Sequence, residues 1–389
     1  MAMTDGADII IVGGGPVGAA LGLALESTGL DVLALEARSN DALTSSDADG
    51  RPLALSHGSR LILERLGVWD SIASTPIERI HISQAGGYGR VMLEARETGL
   101  PAYGYVVSYG ELSRALREAA RARLPRYRLG ARVTAVHPDR MQAIVEYVQD
   151  DSGVASASAA LVVVADGGAL VTGAQRQVRD YGQSAVTARI VAERPHGGNA
   201  YERFTRDGPL ALLPLRDELA LVWTTRPERA VELCELADDR FLSALQSAFG
   251  DRLGALLGVR GRAVYPLVLK FARDVTLPRT VLIGNAAQTL HPVAGQGFNL
   301  GLRDAWELAG EISACEPEQL GQDMMLARVR RRRRIDRRGS IAFTDFLVRM
   351  FSNDVAPLRA ARGMGLALLD SVPPLKNFVA RRMTFGARG

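Results

Sequence analysis

The chain has 389 residues, long for one domain, so two interlocked domains are expected, and 47% hydrophobic residues supply sizeable cores. A formal net charge of +4 is too small to demand a nucleic-acid partner. Two cysteines, Cys234 and Cys315, exclude a disulfide framework or cysteine metal cage and fit a reducing compartment; the five histidines show no ligand spacing, so no metal is expected.

The opening MAMTDGAD carries acids rather than a basic leader, so no signal peptide is read. Asp8-Ile9-Ile10-Ile11-Val12 is a continuous apolar run, which predicts a buried parallel strand. GGGPVG follows directly, placing Gly13, Gly15 and Gly18 at G-x-G-x-x-G spacing before a helix over residues 19–25. Val32–Leu35 predicts a second strand, closed by Glu36. That acid lies 18 residues beyond Gly18, near the offset of about 20 at which a carboxylate meets the ribose of a dinucleotide. The glycine spacing alone is weak. Strand, motif, helix, strand and acid in register predict a dinucleotide site.

A polar loop then leads to Arg51 and to a helix carrying Leu61, Ile62, Leu63 and Leu66, capped by Gly67. Residues 77–93 predict two strands joined at Gly86-Gly87 that leave for a separate sheet. A strand at 105–107, a helix at 111–122 and an antiparallel pair at 133–136 and 143–148 follow. The buried run 161–165 ends at Asp166-Gly167, where the acid either serves a ligand or simply holds a turn. Strands at 185–192, 200–205, 210–215 and 219–225, with a helix at Asp238–Phe249, predict a mixed sheet that walls a substrate. Trp223 is placed either on that wall or in the core.

Residues 280–308 organise the rest. Val281, Leu282 and Ile283 predict a strand, Gly284-Asn285 a turn, and Pro292, Gly295 and Gly297 a loop. From Asn299 the spacing of Leu300, Leu302, Ala305, Trp306, Leu308 and Ala309 predicts a helix. Glycines let backbone N–H groups approach a ligand, and the helix start aims unpaired donors and a positive dipole end at it. The longest apolar run, 157–174, is broken by Asp166, so no membrane span is read. From Gln322 the chain reads as helical, with an apolar stripe at Phe343, Phe346, Leu347, Met350 and Phe351. Residues 328–338 hold eight arginines against Asp336. These arginines read as a solvated face or as part of a basic surface. Pro357 and Pro373-Pro374 divide the later helices. The last mixes Leu375, Phe378, Val379, Met383 and Phe385 with Lys376, Arg381, Arg382 and Arg388, so it either docks on its own protein or lies on an anionic membrane.

GGGPVG with Glu36, Asp166-Gly167 and GNAAQTLHPVAGQGFNLGLRDA together resemble the class A flavoprotein aromatic hydroxylases, over essentially the whole chain. GNAAQ stands where most of the wider family has GDAAH. With DGRPLALSHGSRLILERLGVW and FSND it is similar to the ubiquinone-biosynthesis hydroxylases, and among them to those that hydroxylate 2-polyprenyl-6-methoxyphenol at carbon 4. The resemblance implies an α/β fold of the para-hydroxybenzoate hydroxylase kind. A Rossmann-like FAD-binding domain (1–76, 100–170 and 271–321) would interlock with a mixed β-sheet substrate domain (77–99 and 171–270), followed by C-terminal helices (322–389). It implies FAD, with NADH or NADPH and O2 as co-substrates, and hydroxylation of a polyprenylated phenol through a C4a-hydroperoxyflavin.

The same resemblance assigns cofactor contacts to Gly13, Gly15, Gly18, Glu36, Arg51, Asp166, Asn285, Gly297 and Asn299. It assigns the catalytic loop to His291, Pro292, Gly295 and Gly297, with His291 either relaying the phenolic proton or only hydrogen-bonded. Two positions depart from the family: Tyr109 stands where arginine or glutamine often faces the flavin, and Gly168 where serine usually follows Asp-Gly. No second nucleotide motif is present, as in that family. The expected location is cytoplasmic, at the inner-membrane surface or in a ubiquinone-biosynthesis complex, with the oligomeric state open. The alternatives are a hydroxylase of a soluble aromatic and a non-enzymatic prenyl-binding carrier. Trp69, Trp223 and Trp306 are too scattered for a halogenase motif.

Overall fold

The computed structural model describes residues 5–386, apart from 41, 43–48, 88, 140, 150–152, 171–172, 290–295 and 352–355. Strand Asp5–Val12 lies at the centre of the first sheet. It pairs in parallel with Val32–Leu35 on one side and with Gly153–Val164 on the other, which in turn pairs in parallel with Thr280–Leu282. Both faces of this sheet are covered, which is why its strands are apolar without alternation. Ile9 and Ile11 meet Leu21 and Leu25 of helix Pro16–Leu25 and Leu308 and Ile312 of helix Gln296–Ser313. Ile10 and Val12 face the other way, onto Ala143, Val145 and Tyr147.

The carboxyl ends of these strands lie side by side. Gly13 N–H donates to Leu35 O at 2.8 Å, Ala165 N–H to Val12 O at 2.7 Å and Ile283 N–H to Val164 O at 3.0 Å. The three motifs that are far apart in sequence therefore meet along one edge of the sheet. That edge is where open α/β sheets bind ligands.

The second sheet has the order Gln288–Thr289, Leu256–Ala272, Arg176–Ala192, Glu218–Thr225, Pro209–Leu215, Asn199–Phe204, Arg79–Gln84, Arg90–Glu94. Asn199–Phe204 and Arg79–Gln84 run parallel and the other pairs antiparallel, so the sheet is mixed. Gln288–Thr289 reaches this sheet from the segment after Thr280–Leu282, so the glycine-rich stretch joins the two sheets. One face packs under helix Asp238–Phe249 and under Pro227–Glu235, a second helix not expected from the sequence. Trp223 is in this core, 7% exposed, its ring 6.2 Å from Phe241. Val222 and Thr224, one step away on the pleat, face the cavity instead.

The tail docks on its own protein. Helix Ala356–Ser371 lies against edge strand Arg90–Glu94, where Met92 N–H donates to Asp370 Oδ1 at 3.2 Å and Leu366 packs on Val91 and Leu93. It covers an edge that would otherwise expose unpaired backbone. Helix Pro373–Phe385 buries Ala380 and Thr384 and sets Phe385 edge-on to His57. The arginine run is divided by the helical period of Asp323–Phe351. Arg333 is buried, Arg328 and Arg332 pair with Glu311, and Arg337 reaches Gln288, so half of the run is engaged within the protein and not free for a membrane. The stripe from Phe343 to Phe351, apart from the helix it occupies, lies outside the described side chains.

Candidate active site

A cavity of about 1340 Å³ opens between the two sheets. A single small-ligand site takes roughly 300–1,000 Å³, so there is room here for a large cofactor and a second molecule. Gly13, Gly15, Glu36, Arg51, Asp166, Asn285 and Gly297 all line it. Seven sequence-selected positions from five separate segments thus converge on one space.

The glycines have distinct parts. Gly13 adopts φ +100°, and a Cβ there would lie 2.7 Å from Ala165 O; a Cβ on Gly18 would lie 1.9 Å from Gly13 O. Both are needed for the turn and for helix-on-strand packing. Gly15 has nothing within 4 Å of a built Cβ and faces the cavity. Helix Pro16–Leu25 begins there with no side-chain cap, and its Pro16 has no N–H to satisfy. Its remaining free N–H groups and positive dipole end make an anion site ready for a pyrophosphate. Glu36, 4% exposed, accepts from Gly14 N–H at 2.7 Å and from Arg38 Nε at 2.7 Å. These residues fit a dinucleotide.

Further along, Arg51 pairs with Asp49 at 2.6 Å and stacks over Tyr109 and Tyr265, 5.0 and 5.5 Å from their ring centres. Tyr109, the departure from the family, is thus an aromatic support for Arg51. Asp166 lines the cavity, but its carboxylate accepts from the N–H of Gly168 at 2.8 Å and from that of Leu170. The carboxylate holds its own turn. Asn285 is exposed toward the cavity in the tight turn Gly284–Ala286.

Helix Gln296–Ser313 starts three residues before Asn299. Gly297 therefore lies in its first turn, bordering the cavity with no atom within 4 Å of a built Cβ. Asn299 turns away: its Oδ1 accepts from Ser56 N–H at 2.8 Å and Ser59 Oγ at 2.7 Å, and its Nδ2 donates to Ala54 O at 2.9 Å. Only 2% exposed, it fastens the helix to residues 54–59 and does not line the cavity, because helical rotation over two residues from Gly297 points it elsewhere. His291, Pro292 and Gly295 lie outside the described residues.

Sequence reading missed the support behind the turn Gly284–Ala286. Asp304 accepts from Gly284 N–H at 3.1 Å, Gln288 Nε2 at 2.7 Å and Arg333 Nε at 2.7 Å. Burial works to lower the pKa of Arg333, yet Asp304, Glu307 and Asp336 outweigh it and hold the guanidinium charged. GLRDA was in view as a motif, but nothing in its spacing names an arginine 29 residues on.

The model of the FAD binding domain family matches residues 6–339, and relatives match nearly the whole chain. The ubiquinone hydroxylase UbiL of Rhodospirillum rubrum is 36% identical, covering 96% of this chain and 89% of its own. The chain belongs to the FAD-binding monooxygenases. The enzyme is also 32% identical to the 3-demethoxyubiquinol 3-hydroxylase of Escherichia coli, over 95% of this chain and 96% of that one. Human ubiquinone biosynthesis monooxygenase COQ6 is 31% identical, over 95% and 90%. In fold the monooxygenase is similar to the p-nitrophenol 4-monooxygenase PnpA of Pseudomonas putida DLL-E4. The TM-score is 0.75 at 18% identity, over 99% of this chain and 100% of that one. FAD is its cofactor, and NAD(P)H is the reductant typical of the family. The non-enzymatic carrier is set aside.

Proposed function

We propose that this monooxygenase hydroxylates a polyprenylated phenol in ubiquinone biosynthesis. The observation that carries the reading is an apolar wall. Ile80, Ile82, Phe204, Leu213 and Val222 of the second sheet continue into Leu366, Leu369, Val379 and Met383 of the tail helices, all around the same cavity. A prenyl chain needs such a lining, since each buried CH₂ contributes about 0.8 kcal/mol. The relatives' names point the same way.

Bound FAD supplies the redox and oxygen-transfer chemistry. The chain's own residues bind, orient and exclude water. The uncapped helix start at Gly15 would receive the pyrophosphate and Glu36 the ribose. Asn285 and the first turn at Gly297 would hold the isoalloxazine end, with Arg51 over Tyr109 beside it. We assign residues 1–76, 100–170 and 271–321 to the cofactor, 77–99 and 171–270 to the substrate, and 322–389 to the helices that close the cavity.

The tail supports a place at a membrane surface. Met364, Leu368, Leu375 and Phe378 are exposed on the same two helices whose other faces line the cavity. A patch of this kind marks a contact with lipid or a partner protein. The basic contribution is smaller than the sequence suggests, because Lys376 is paired with Glu97 at 2.9 Å. No helix among the described residues is long and apolar enough to cross a membrane. Deleting residues 374–389 would remove Val379 and Met383 from the cavity wall, so point changes are the sound test.

NAD(P)H and O2 consumption over a panel of prenylated and soluble phenols, with product analysis, tests the substrate class. Hydroxylation of the soluble phenols alone would remove the prenyl part of the reading. Liposome sedimentation of Leu375→Ser/Phe378→Ser against the parent tests the surface. Equal sedimentation would remove the membrane part.

A further inference from the structure

Glu202 has surroundings that cofactor binding does not explain. It lies in strand Asn199–Phe204, in register with Ile82 on one side and Ala211 on the other. Side chains alternate across a strand, so Ala200, Glu202 and Phe204 share a face. That face lines the cavity. Arg203 belongs to the opposite face, where its Nε donates to Ala248 O at 2.9 Å. The Tyr201 ring likewise meets Phe249 and His81 there, at 5.4 and 6.0 Å.

Glu202 makes no hydrogen bond or ion pair among the described residues. The other charged groups on the cavity, Glu36, Arg38, Arg51, Arg132 and Asp166, belong to the nucleotide sheet and the segments beside it. Among the described residues no charged neighbour acts on the carboxylate, and burial pushes its pKa up to about 7. The tail helices that close the cavity present Leu366, Leu369, Val379 and Met383, none of which titrates. A lone carboxylate in an apolar wall is costly, and such groups cluster where a ligand completes them. What it lacks is a hydrogen-bond donor.

We propose that Glu202 receives the ring hydroxyl of the substrate, accepting its hydrogen bond and so fixing which ring carbon faces the cofactor. This rests on the phenol reading above. The ionised carboxylate accepts from the phenolic O–H while the proton stays on the phenol oxygen; no bond is broken in this step. Protonated Glu202 keeps only a neutral carbonyl oxygen, a weaker acceptor than the carboxylate, so phenol affinity rises with pH through about 7.

The test is calorimetric binding of 2-geranylphenol to the FAD-loaded protein at about pH 6 and pH 8, for wild type, Glu202→Gln and Glu202→Leu. Flavin content serves as the control for folding, and product regiochemistry as a second readout. Wild type should bind several-fold more tightly at the higher pH. Glu202→Gln keeps an acceptor that does not titrate, so its affinity should be flat with pH. Glu202→Leu should bind about 10- to 100-fold more weakly at pH 8 and give mixed ring products or uncoupled turnover. Leucine binding within about twofold with an unchanged product, or a pH dependence that survives in Glu202→Gln, would overturn the proposal. If wild type oxidises no phenol of the panel, the phenol reading itself falls. If it does and the variants behave as wild type, Glu202 alone is misassigned.

Discussion

Gln288 and Asp304 are joined in the interior, Gln288 Nε2 donating to Asp304 Oδ2 at 2.7 Å. The oxygen of that amide, Gln288 Oε1, accepts from Arg337 Nε at 3.0 Å, and the other oxygen of that carboxylate from Arg333 Nε at 2.7 Å. One amide and one acid thereby bind the turn after strand Thr280–Leu282, the helix bordering the cavity and the arginine helix into a unit. Asp304→Ala leaves Arg333 buried beside a missing charge, and removing one partner of a buried pair costs about 3–5 kcal/mol. Denaturant unfolding should show that loss, with flavin content falling alongside. A loss under about 1 kcal/mol would mean that Glu307 and Asp336 suffice for Arg333.

Gly15→Val should fold and fail to hold FAD. The new side chain meets no protein atom within 4 Å of its Cβ, and the backbone at φ −63° suits any residue. It occupies the space a pyrophosphate needs. Gly18→Val should instead fail to fold, because its Cβ meets Gly13 O. A folded Gly15→Val with stoichiometric flavin would reject the assignment of this helix start.

Gly297→Val is expected to separate reduction from hydroxylation. Its Cβ also has free space, so the protein stands while the cavity narrows. A displacement of about 1 Å at a reacting group can cost about 100-fold. The measure is hydrogen peroxide released per NAD(P)H oxidised, which should rise sharply. Parental coupling would place the ring elsewhere.

Glu202 should make stability fall as pH rises. Its pKa moves from 4.5 in the free residue to about 7 in the fold. Below both values each state holds the proton and the group contributes no difference. Between them only the folded state holds it, so stability declines, and above about 7 the full penalty remains. The shift corresponds to at most about 3 kcal/mol, reduced by screening from water in the cavity. Glu202→Gln should melt with wild type near pH 4.5 and above it at pH 8. Equal melting at pH 8 would show that the carboxylate is well solvated.

The sequence by itself determined the nucleotide end of this enzyme. A strand, three spaced glycines, a helix and an acid are local patterns, each dictated by neighbours within a few dozen residues. They reappear with Gly15 open to the cavity and Glu36 at its edge. The helix Asp238–Phe249 was legible for the same reason, since a 3.6-residue period needs no partner to be seen. Tertiary structure alone decided the rest. Whether Trp223 or Val222 faces the cavity is a matter of which side of the pleat the helices cover. Asn299 became a fastener because residues 54–59 happen to lie against it, more than 240 positions away in the chain. Arg333 became a buried cation because three carboxylates from two helices surround it. Nothing local marks Glu202; the parallel pairing with Arg79–Gln84 puts Ile82 beside it, and the tail helices close the cavity that it faces. Burial, and with it the chemistry of a charge, is set by what folds around a residue.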